Sequence, residues 1–421
     1  MRYIKFISVS FLLFIAITAY CQLPAFPGAE GFGALASGGR GGEVYTVTHL
    51  ADSGQGSFRD AVSKPNRAVV FQISGVIKHT ERIQVASNIT IAGETAPGVG
   101  IIIYGVGVSF SNSKNIIVRY IRFRGSINMP RGKCTVTADD AEDIIFDHCS
   151  IQWGRWDNLH IKNSKNITLQ YCIIGESIDP QRFGALLERP TNITIHHCLW
   201  IDNTSRNPKA KAAIEYINNV VYNWGTGGGF VGGHSAANHY QDIINNYFIA
   251  GPNSNQSFFS MFSATDHVYH TGNMVDMNAD GQLNGRAVVD TDFVKKEGPS
   301  FVRAKQNNAP VAVNTTDAAT AFNQIIKEVG ASLQYDGVDN RLLSYVKSIG
   351  TQGAIFKTEM EAGGQPYITI TYGSKDSDAD GIPDEWRKKQ KLKHKSTTIN
   401  PKTGYSYLEE YFHALIKERI K

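Results

Sequence analysis

The sequence repeats a short pattern with a period in the mid-twenties, and this period constrains the fold more than any other feature. Each unit opens with a polar residue, which is followed by an alternating run of apolar residues. The clearest leading positions are Asn88, Asn115, Asp143, Asn166 and Asn192, separated by 27, 28, 23 and 26 residues. Short strands at a steady period of this length, without helices between them, are typical of a β-solenoid. We therefore predict an all-β fold built from stacked coils.

One position, six residues after the leading residue of a coil, is predicted to form a column inside the stack. Its members are Cys149, Cys172, Cys198, Asn219 and Asn246. Equivalent positions on stacked coils lie about 4.8 Å apart, so these side chains should touch. We interpret the cysteines as packed thiols rather than as a disulfide, and we expect the asparagine amides to hydrogen-bond along the column.

The N-terminal residues are typical of a secretory signal. Arg2 and Lys5 precede the apolar residues 6–19, a run that is short for a membrane span. We expect residues 1–22 to be a signal peptide and the mature protein to be secreted or periplasmic, with a lipid anchor at Cys21 as the alternative. We expect no membrane span elsewhere. The net charge of +4 is too small to indicate a nucleic-acid partner, and we expect a monomer.

The repeat fades after about residue 300, and the remaining residues have a different character. Residues 317–329 and 338–349 have helical periodicity. A helix pair there would cover the C-terminal end of the stack, which otherwise exposes strand edges. We predict a β-helix over residues 23–310, a helical cap over residues 311–360, and an acidic calcium-loop module with short helices over residues 361–421.

The tail carries acidic residues at alternate positions around Gly381. They are Asp376, Asp378, Asp380 and Asp384. Hard oxygen ligands at this spacing suit Ca²⁺. The loop is not an EF-hand, because its twelfth position would be Arg387 instead of Glu. Without a cation these acids would repel one another, so we predict that they bind a structural calcium ion.

A cluster of cations lies between two predicted strands, with no acidic residue among them. These cations are Arg206, Lys209 and Lys211. A basic loop between strands suits an anionic ligand, although it is also compatible with a solvated surface turn. Second strands are predicted at residues 135–137, 159–161 and 185–187. Stacking them brings Asp157 and Arg182 towards the same flank as the cations. These residues then either converge on one groove or are simply exposed on the outer surface of the solenoid.

Six segments of the chain resemble family 1 polysaccharide lyases, the pectate lyases. They are residues 26–33, 38–42, 52–59, 91–98, 146–153 and 205–209. The resemblance covers roughly residues 26–310, and the helical cap and acidic tail are also similar to such enzymes. It implies a right-handed parallel β-helix. It also implies cleavage of an acidic polysaccharide, pectate or pectin, by β-elimination, usually with Ca²⁺ between protein acids and substrate carboxylates.

The resemblance also implies roles for individual residues. Arg206 is the base, and Pro208 shapes its loop. Lys209, Lys211 and Arg182 are the substrate-binding cations. A free arginine has a pKa above ~12. A neighbouring cation at ~5 Å, at an effective dielectric constant of ~20, disfavours the protonated form by about 3 kcal/mol, roughly two pKa units. The base therefore still needs alkaline conditions, and we expect an alkaline pH optimum. We also expect Arg206 to face the groove without pairing with a carboxylate of its own chain.

The predicted groove departs from the family at its calcium site. The resemblance places an Asp at the position of Cys134 and further acids one coil later. Here Asp157 remains on that later coil, but His160 stands where another acid is often found. The nearby acids that we interpret as turn residues are Asp139, Asp140 and Asp143. Asp157 therefore binds calcium with another group, or a cation such as Lys209 replaces the metal, or the substrate differs from plain pectate.

Two other functions remain open on the sequence. A β-helix glycoside hydrolase would need paired acids, and the obvious pair, Asp139 and Asp140, consists of adjacent residues, which tend to point apart. A solenoid that binds pectin without cutting it would tolerate an altered calcium site. The glycine-rich residues 225–233 are predicted to be a flexible loop that borders the groove.

Overall fold

A computed structural model describes residues 22–419 and confirms the predicted all-β solenoid. Three sheets run along the stack, with 11, 8 and 10 strands, and their strand pairs are parallel except for the last strand of the third sheet. The predicted signal peptide and Cys21 lie outside the described residues, apart from Gln22. Between residues 22 and 419 no helix has both the length and the hydropathy needed to cross a membrane.

The strands of each sheet follow one another along the stack, and each sheet is named here by its position in the coil. Sheet one contains Glu43–Val47, Arg67–Phe71, Ile89–Ala92, Lys114–Arg119, Glu142–Asp147, Lys165–Gln170, Thr191–His196, Ala213–Ile217, His239–Ile244, Asp266–Thr271 and Ser300–Phe301. Sheet two contains Ile83–Gln84, Val108–Ser109, Val136–Asp139, Asp157–Lys162, Phe183–Glu188, Lys209–Lys211, Phe230–Val231 and Phe259–Ser260. Sheet three contains Gly75–His79, Ile101–Gly105, Ile121–Arg124, Ser150–Gln152, Ile173–Gly175, Leu199–Ile201, Val220–Tyr222, Tyr247–Ile249, Met274–Asp276 and Arg286–Ala287.

The polar leading residues turn the chain into sheet one. Each has a left-handed backbone conformation, with φ between 55° and 60°, which Asn and Asp tolerate better than most residues. Their amides also connect the coils: Asn115 Nδ2 donates to Asn88 Oδ1 at 2.9 Å, and Asn192 Nδ2 donates to Asn166 Oδ1 at 2.9 Å. The repeat seen in the sequence is therefore a repeat of one turn geometry.

The predicted internal column is present. The cysteines at these positions are buried and free, so the interpretation as packed thiols is confirmed. Asn219 Nδ2 donates to Asn246 Oδ1 at 3.0 Å, and Asn246 Nδ2 donates to Asn273 Oδ1 at 2.9 Å. Asn273 extends the column by one coil that the sequence analysis missed. The column satisfies buried amides along the stack.

The ends of the stack are covered by aromatic residues. At the N-terminal end, helix α1 (Phe58–Val62) begins after Ser57, whose hydroxyl accepts from Asp60 N, and it buries Phe58 in the core. At the C-terminal end, the 3₁₀-helix Asp290–Phe293 places Phe293 on Phe259, with ring centroids 4.0 Å apart. These contacts separate the terminal coils of the core from solvent.

Helices α2 (Ala318–Glu328) and α3 (Gly337–Lys347) form where the sequence predicted helices, but their predicted location is wrong. They pack on the outer face of sheet three instead of covering the C-terminal end, with Phe322 and Leu342 against residues such as Tyr247. The reason is that this face of sheet three is apolar in several coils, so covering it removes more apolar surface from water.

Two buried arginines anchor helix α3 to sheet three. Arg122 Nε lies 2.7 Å from Asp339 Oδ2, and Arg124 Nη1 lies 2.5 Å from Asp336 Oδ2. All four side chains are at most 1% exposed. Since a buried charge is costly without a partner, this network fixes where the helix lies on the sheet.

The tail packs on the first coils through helices α4 (Asp384–Lys389) and α5 (Tyr407–Arg419). Ile382, Leu408 and Phe412 form a cluster with sheet-one residues such as Val70. Arg40 Nε also lies 2.8 Å from a carboxylate oxygen of Glu409. The acidic loop is thus held at the N-terminal end of the stack, on sheet one. The division into domains at residues 310 and 360 stays a prediction.

Candidate active site

Sheet two forms the floor of a groove of about 580 Å³. Its strands alternate, so one set of side chains enters the core and the other faces outward. The first outward row is, in register, Thr137, His160, Leu186 and Lys209. The second row is Asp139, Lys162, Glu188 and Lys211. Other groove-lining residues are Arg82, Cys134, Trp156 and Asp157. Coils that are distant in sequence thus contribute to one surface, as predicted from the stacking.

The acids on the groove floor are paired with neighbouring basic side chains. His160 Nδ1 lies 2.8 Å from Asp139 Oδ1, and Lys162 Nζ lies 3.9 Å from Glu188 Oε2. The interpretation of Asp139 as a turn residue is wrong, because it ends a strand and its side chain reaches His160. Asp140 does lie in the turn, with φ at 51°. The two adjacent acids therefore point apart, which disfavours a paired-acid hydrolase.

The loop that carries Arg206 is fixed by the coils on both sides. Ala185 N donates to Arg206 O at 2.7 Å, and Asn207 N donates to Gly229 O at 2.9 Å. The glycine-rich residues 225–233 are not a loose border: a Cβ added at Gly227 would lie 2.4 Å from Ser205 Cβ. The prediction of a flexible loop is therefore wrong. These glycines allow two backbones to pack closely, and the packing holds the Arg206 loop in place.

The Arg206 guanidinium pairs with Asp157, one of the residues that line the groove. Its Nη1 lies 3.1 Å from Asp157 Oδ2, and its Cζ lies 4.1 Å from the centre of the Phe183 ring. The Arg206 side chain is 20% exposed, and Asp157 is buried. The expectation that Arg206 would not pair with a carboxylate of its own chain is wrong. Such a pair favours the charged guanidinium, which counts against a base unless other groups offset it.

The pKa of Asp157 is raised because its side chain is buried. Burial raises its pKa to about 6, although the charges of Arg206 and His160 act in the opposite direction. Asp157 is thus ionised, and paired as an anion with Arg206, only above about pH 6. The protonation state of this carboxyl decides whether Arg206 faces a full negative charge.

The predicted substrate-binding cations have different environments. Lys209 Nζ lies 3.8 Å from the sulfur of Met261, and burial lowers the pKa of Lys209, with further contributions from Arg206 and Lys211. Lys209 is therefore close enough to both Arg206 and Lys211 for their charges to repel. Lys211 is the strand partner of Glu188. Arg182 Nε instead lies 3.0 Å from Asp179 Oδ1, so its guanidinium is engaged outside the residues that line the groove.

The groove does not fit a calcium ion. Ca²⁺ requires six to eight oxygen ligands, but here the nearby donors are a thiol, an imidazole and carboxylates that are already paired. Burial raises the pKa of the Cys134 thiol to about 12, so it remains protonated and is a poor ligand for a hard cation. Asp157 is paired with Arg206, and Asp139 is paired with His160.

The acidic tail fits a cation better than the groove does. In residues 22–419, the one group of three or more His, Cys, Asp or Glu side chains whose ligand atoms lie within 4.8 Å of one another is Asp376, Asp378 and Asp384. Asp380, the fourth predicted ligand, lies outside this group and forms an ion pair with Arg387. Burial raises the pKa of Asp376 to about 6, and the neighbouring Asp378 adds to the effect.

Arg82 and Trp156 line the groove, and the sequence analysis missed both. Arg82 precedes Ile83–Gln84, the two-residue strand that begins sheet two. Trp156 is 41% exposed and precedes Asp157. The alternating residues 82–85 could have indicated the second strand of their coil. Only the register, in which Ile83 pairs with Val108 and Val108 pairs with Val136, shows that Arg82 approaches Cys134.

A parallel β-solenoid with a cluster of cations beside a groove on one sheet is the arrangement that the resemblance to β-helix polysaccharide lyases predicts. The chain is 42% identical to "Probable pectate lyase C" of Aspergillus fumigatus over 414 residues, which cover 96% of this chain and 97% of the relative. It is 43% identical to the protein of the same name from Neosartorya fischeri over 412 residues, with the same coverage. The chain belongs to the pectate lyase family.

Solved structures show the same fold at low sequence identity. The cedar pollen allergen jun a 1 has a TM-score of 0.54 and 17% identity, and the match covers 72% of this chain and 92% of the allergen. A pectate lyase bound to a hexasaccharide has a TM-score of 0.52 and 14% identity, with coverage of 75% and 99%. No family model matches the chain.

Proposed function

We propose that the protein cleaves polygalacturonate by β-elimination in the sheet-two groove. The observation that carries this proposal is the position of the Arg206 guanidinium at this groove, beside Lys209, in a chain of the pectate lyase family. A polyanion suits such a surface, because cations can neutralise its carboxylates. The partner is therefore an acidic polysaccharide, and an exported protein would meet it outside the cell.

The reaction needs a base and a means of neutralising the carboxylate next to the reacting carbon. The base removes the proton on C5, the electron pair forms the C4–C5 double bond, and the bond between C4 and O4 breaks. O4 then takes up a proton from water. Negative charge develops on the carboxylate side of C5 in the transition state, so a fixed cation there lowers the barrier.

We assign proton abstraction to Arg206, in its neutral form. Two opposing effects act on this side chain. The charge of Lys209 opposes its positive charge, since Arg206 contributes, after burial, to the lowered pKa of Lys209. Asp157 at 3.1 Å favours that charge. A guanidinium gives up a proton only at high pH, so a base of this type supports an alkaline pH optimum. Asp157, together with the Phe183 ring, positions the guanidinium at the groove.

We assign substrate binding to Lys209 and Lys211 and leave Arg182 out of the proposed site. Lys209 follows the Arg206 loop directly and extends the first outward row of sheet two. Lys211 extends the second row, in which acids and cations alternate. The Arg182 guanidinium pairs with Asp179, and Arg182 is not among the residues that line the groove.

In the tail, Asp376, Asp378 and Asp384 would hold a calcium ion with a structural role. The ion would neutralise three converging carboxylates and so stabilise the loop. The adjacent Ile382 is buried against the first coils, so order in this loop is coupled to the packing of the tail on sheet one. Monomeric state stays a prediction.

Incubation with polygalacturonate tests the proposed function. A lyase produces unsaturated ends, which absorb ultraviolet light, together with new reducing ends. A hydrolase produces reducing ends without that absorbance. A protein that only binds pectin produces neither, although it is retained on a pectate gel. Absence of unsaturated product from pH 6 to 10, with folded protein, would reject the proposal.

A further inference from the structure

Arg82 is a groove-lining cation without a carboxylate partner among the described residues. Its guanidinium donates to Cys134 O at 3.2 Å, to Thr137 Oγ1 at 2.9 Å and to Val108 O at 3.4 Å. These acceptors are all uncharged. They fix the plane of the guanidinium, and the N–H groups that they do not use are available to a ligand.

The solvation of Arg82 favours an anionic ligand. Burial lowers the pKa of Arg82, with opposing contributions from Cys134 and Asp139. The cation has therefore lost part of its hydration without gaining an ion pair in return. A carboxylate bound to it would make charge-assisted hydrogen bonds of the kind that planar, paired guanidinium donors form well.

The acids around the groove are compensated within the chain. Asp139 lies 2.8 Å from His160, and Asp157 lies 3.1 Å from Arg206. In the second outward row, acids and cations alternate along the sheet. A polyanion that enters the groove thus meets Arg82 and Lys133 as groove-lining cations that form no ion pair among residues 22–419.

Arg82 also lies next to a position at which the family resemblance would place a ligand of the groove calcium. That site would use the side chain at position 134, and here the Arg82 guanidinium donates to the carbonyl of Cys134. Arg206 donates to Asp157, which lies one coil further along sheet two than Cys134. Adjacent coils are about 4.8 Å apart, so the two guanidinium groups approach neighbouring levels of one groove.

We propose that Arg82 binds a substrate carboxylate in the groove and thereby takes the place of a groove cation. This inference rests on the proposed lyase function. It states that binding and cleavage need no calcium in the groove, and that any calcium dependence of this protein arises from the tail. Arg82 is then a substrate-binding residue. Its guanidinium supplies the positive charge that a calcium ion bound by acids would otherwise supply in the groove.

Calorimetric titration with a galacturonate oligomer tests this role in an Arg206→Ala background, which separates binding from turnover. Adding Arg82→Ala should raise Kd at least 10-fold, and Arg82→Lys should raise it less, because the charge remains but the planar donors are lost. Arg303→Ala is the matched control, since Arg303 is exposed and follows the last strand of sheet one; its Kd should be unchanged. If Arg82→Ala does not fold, Arg82→Gln removes the charge and keeps a donor for the Cys134 carbonyl.

The same titration in chelator and in calcium distinguishes the contribution of Arg82 from that of a bound calcium ion. Kd in the Arg206→Ala background should agree within 2-fold in the two buffers, with thermal unfolding measured in parallel to follow the tail. Loss of binding in chelator by a protein that remains folded overturns the inference, as does an Arg82→Ala or Arg82→Gln variant with unchanged Kd. The lyase proposal fails separately, when wild-type protein forms no unsaturated product.

Discussion

Replacing Asp157 by Asn tests whether Arg206 acts as a base or as a fixed cation. Two unit charges 3.1 Å apart interact by about 5 kcal/mol at an effective dielectric constant of ~20. Arg206 is 20% exposed, so solvent screening reduces this value, and we take about 2 to 3 kcal/mol. Asp157→Asn removes that stabilisation of the charged guanidinium. With Arg206 as the proton acceptor, kcat should therefore rise in the variant.

The pKa of Asp157 gives this prediction a definite pH dependence. Its carboxyl has a pKa of about 6. Below pH 6 the wild-type side chain is already protonated, so wild type and variant should have similar kcat. Above pH 7 wild type carries the negative charge and the variant does not, so the variant should be faster and its pH profile should shift towards lower pH. An inflection near pH 6 in the wild-type profile should be absent from the variant.

The assay is the pH dependence of kcat and kcat/KM from pH 5 to 10, followed by the absorbance of the unsaturated product. Asp143→Asn is the matched control: it makes the same chemical change at a leading position where other coils already carry Asn, and it should leave the profile unchanged. A fall in kcat at every pH in Asp157→Asn, with the folded structure intact, would refute Arg206 as the proton acceptor and show that the charged guanidinium is the active form.

Three further predictions concern Arg206, the glycine-rich residues 225–233 and the tail. Arg206→Ala should lower kcat by about 10²- to 10⁴-fold with unchanged thermal unfolding, and residual activity above a tenth of wild type would contradict its role. Gly227→Ala should cost about 1 to 3 kcal/mol of stability in denaturant unfolding and lower kcat, because its Cβ would lie 2.4 Å from Ser205 Cβ; Gly337→Ala, with its nearest neighbour at 3.9 Å, is the control and should not destabilise. Asp378→Asn should abolish any calcium-dependent rise in Tm while leaving kcat in chelator unchanged, and a Tm that still rises with calcium would reject the tail site.

The fold was accessible from the sequence because a solenoid repeats local rules. The polar leading residues mark a backbone turn that favours Asn and Asp, and this preference acts on each residue separately. The internal column followed from the same period, since stacking places equivalent side chains against each other. The sequence also located helices α2 and α3 within one residue of their observed ends on the N-terminal side. It misplaced them on the molecule, because helical periodicity identifies an apolar face without identifying its partner.

The candidate site was only partly accessible from the sequence. The cation cluster and its flank could be predicted, since strand alternation and coil stacking bring Arg206, Lys209 and Asp157 to one side. The ion pair between Arg206 and Asp157 could not, because it depends on how far a long side chain reaches back across a coil. Arg82 was missed for a similar reason: its guanidinium passes Val108 to reach Cys134.

By itself, the sequence determined the period, the turns, the stacked core and the family to which the chain belongs. These follow from short-range backbone preferences and from a repeat that needs no knowledge of distant contacts. The tertiary structure alone decided which acids are compensated, where the helices and the tail lie, and that Arg82 lines the groove without an ion pair among residues 22–419. Those properties depend on distances between residues that only the folded coils bring together, and electrostatic energy changes steeply over such distances.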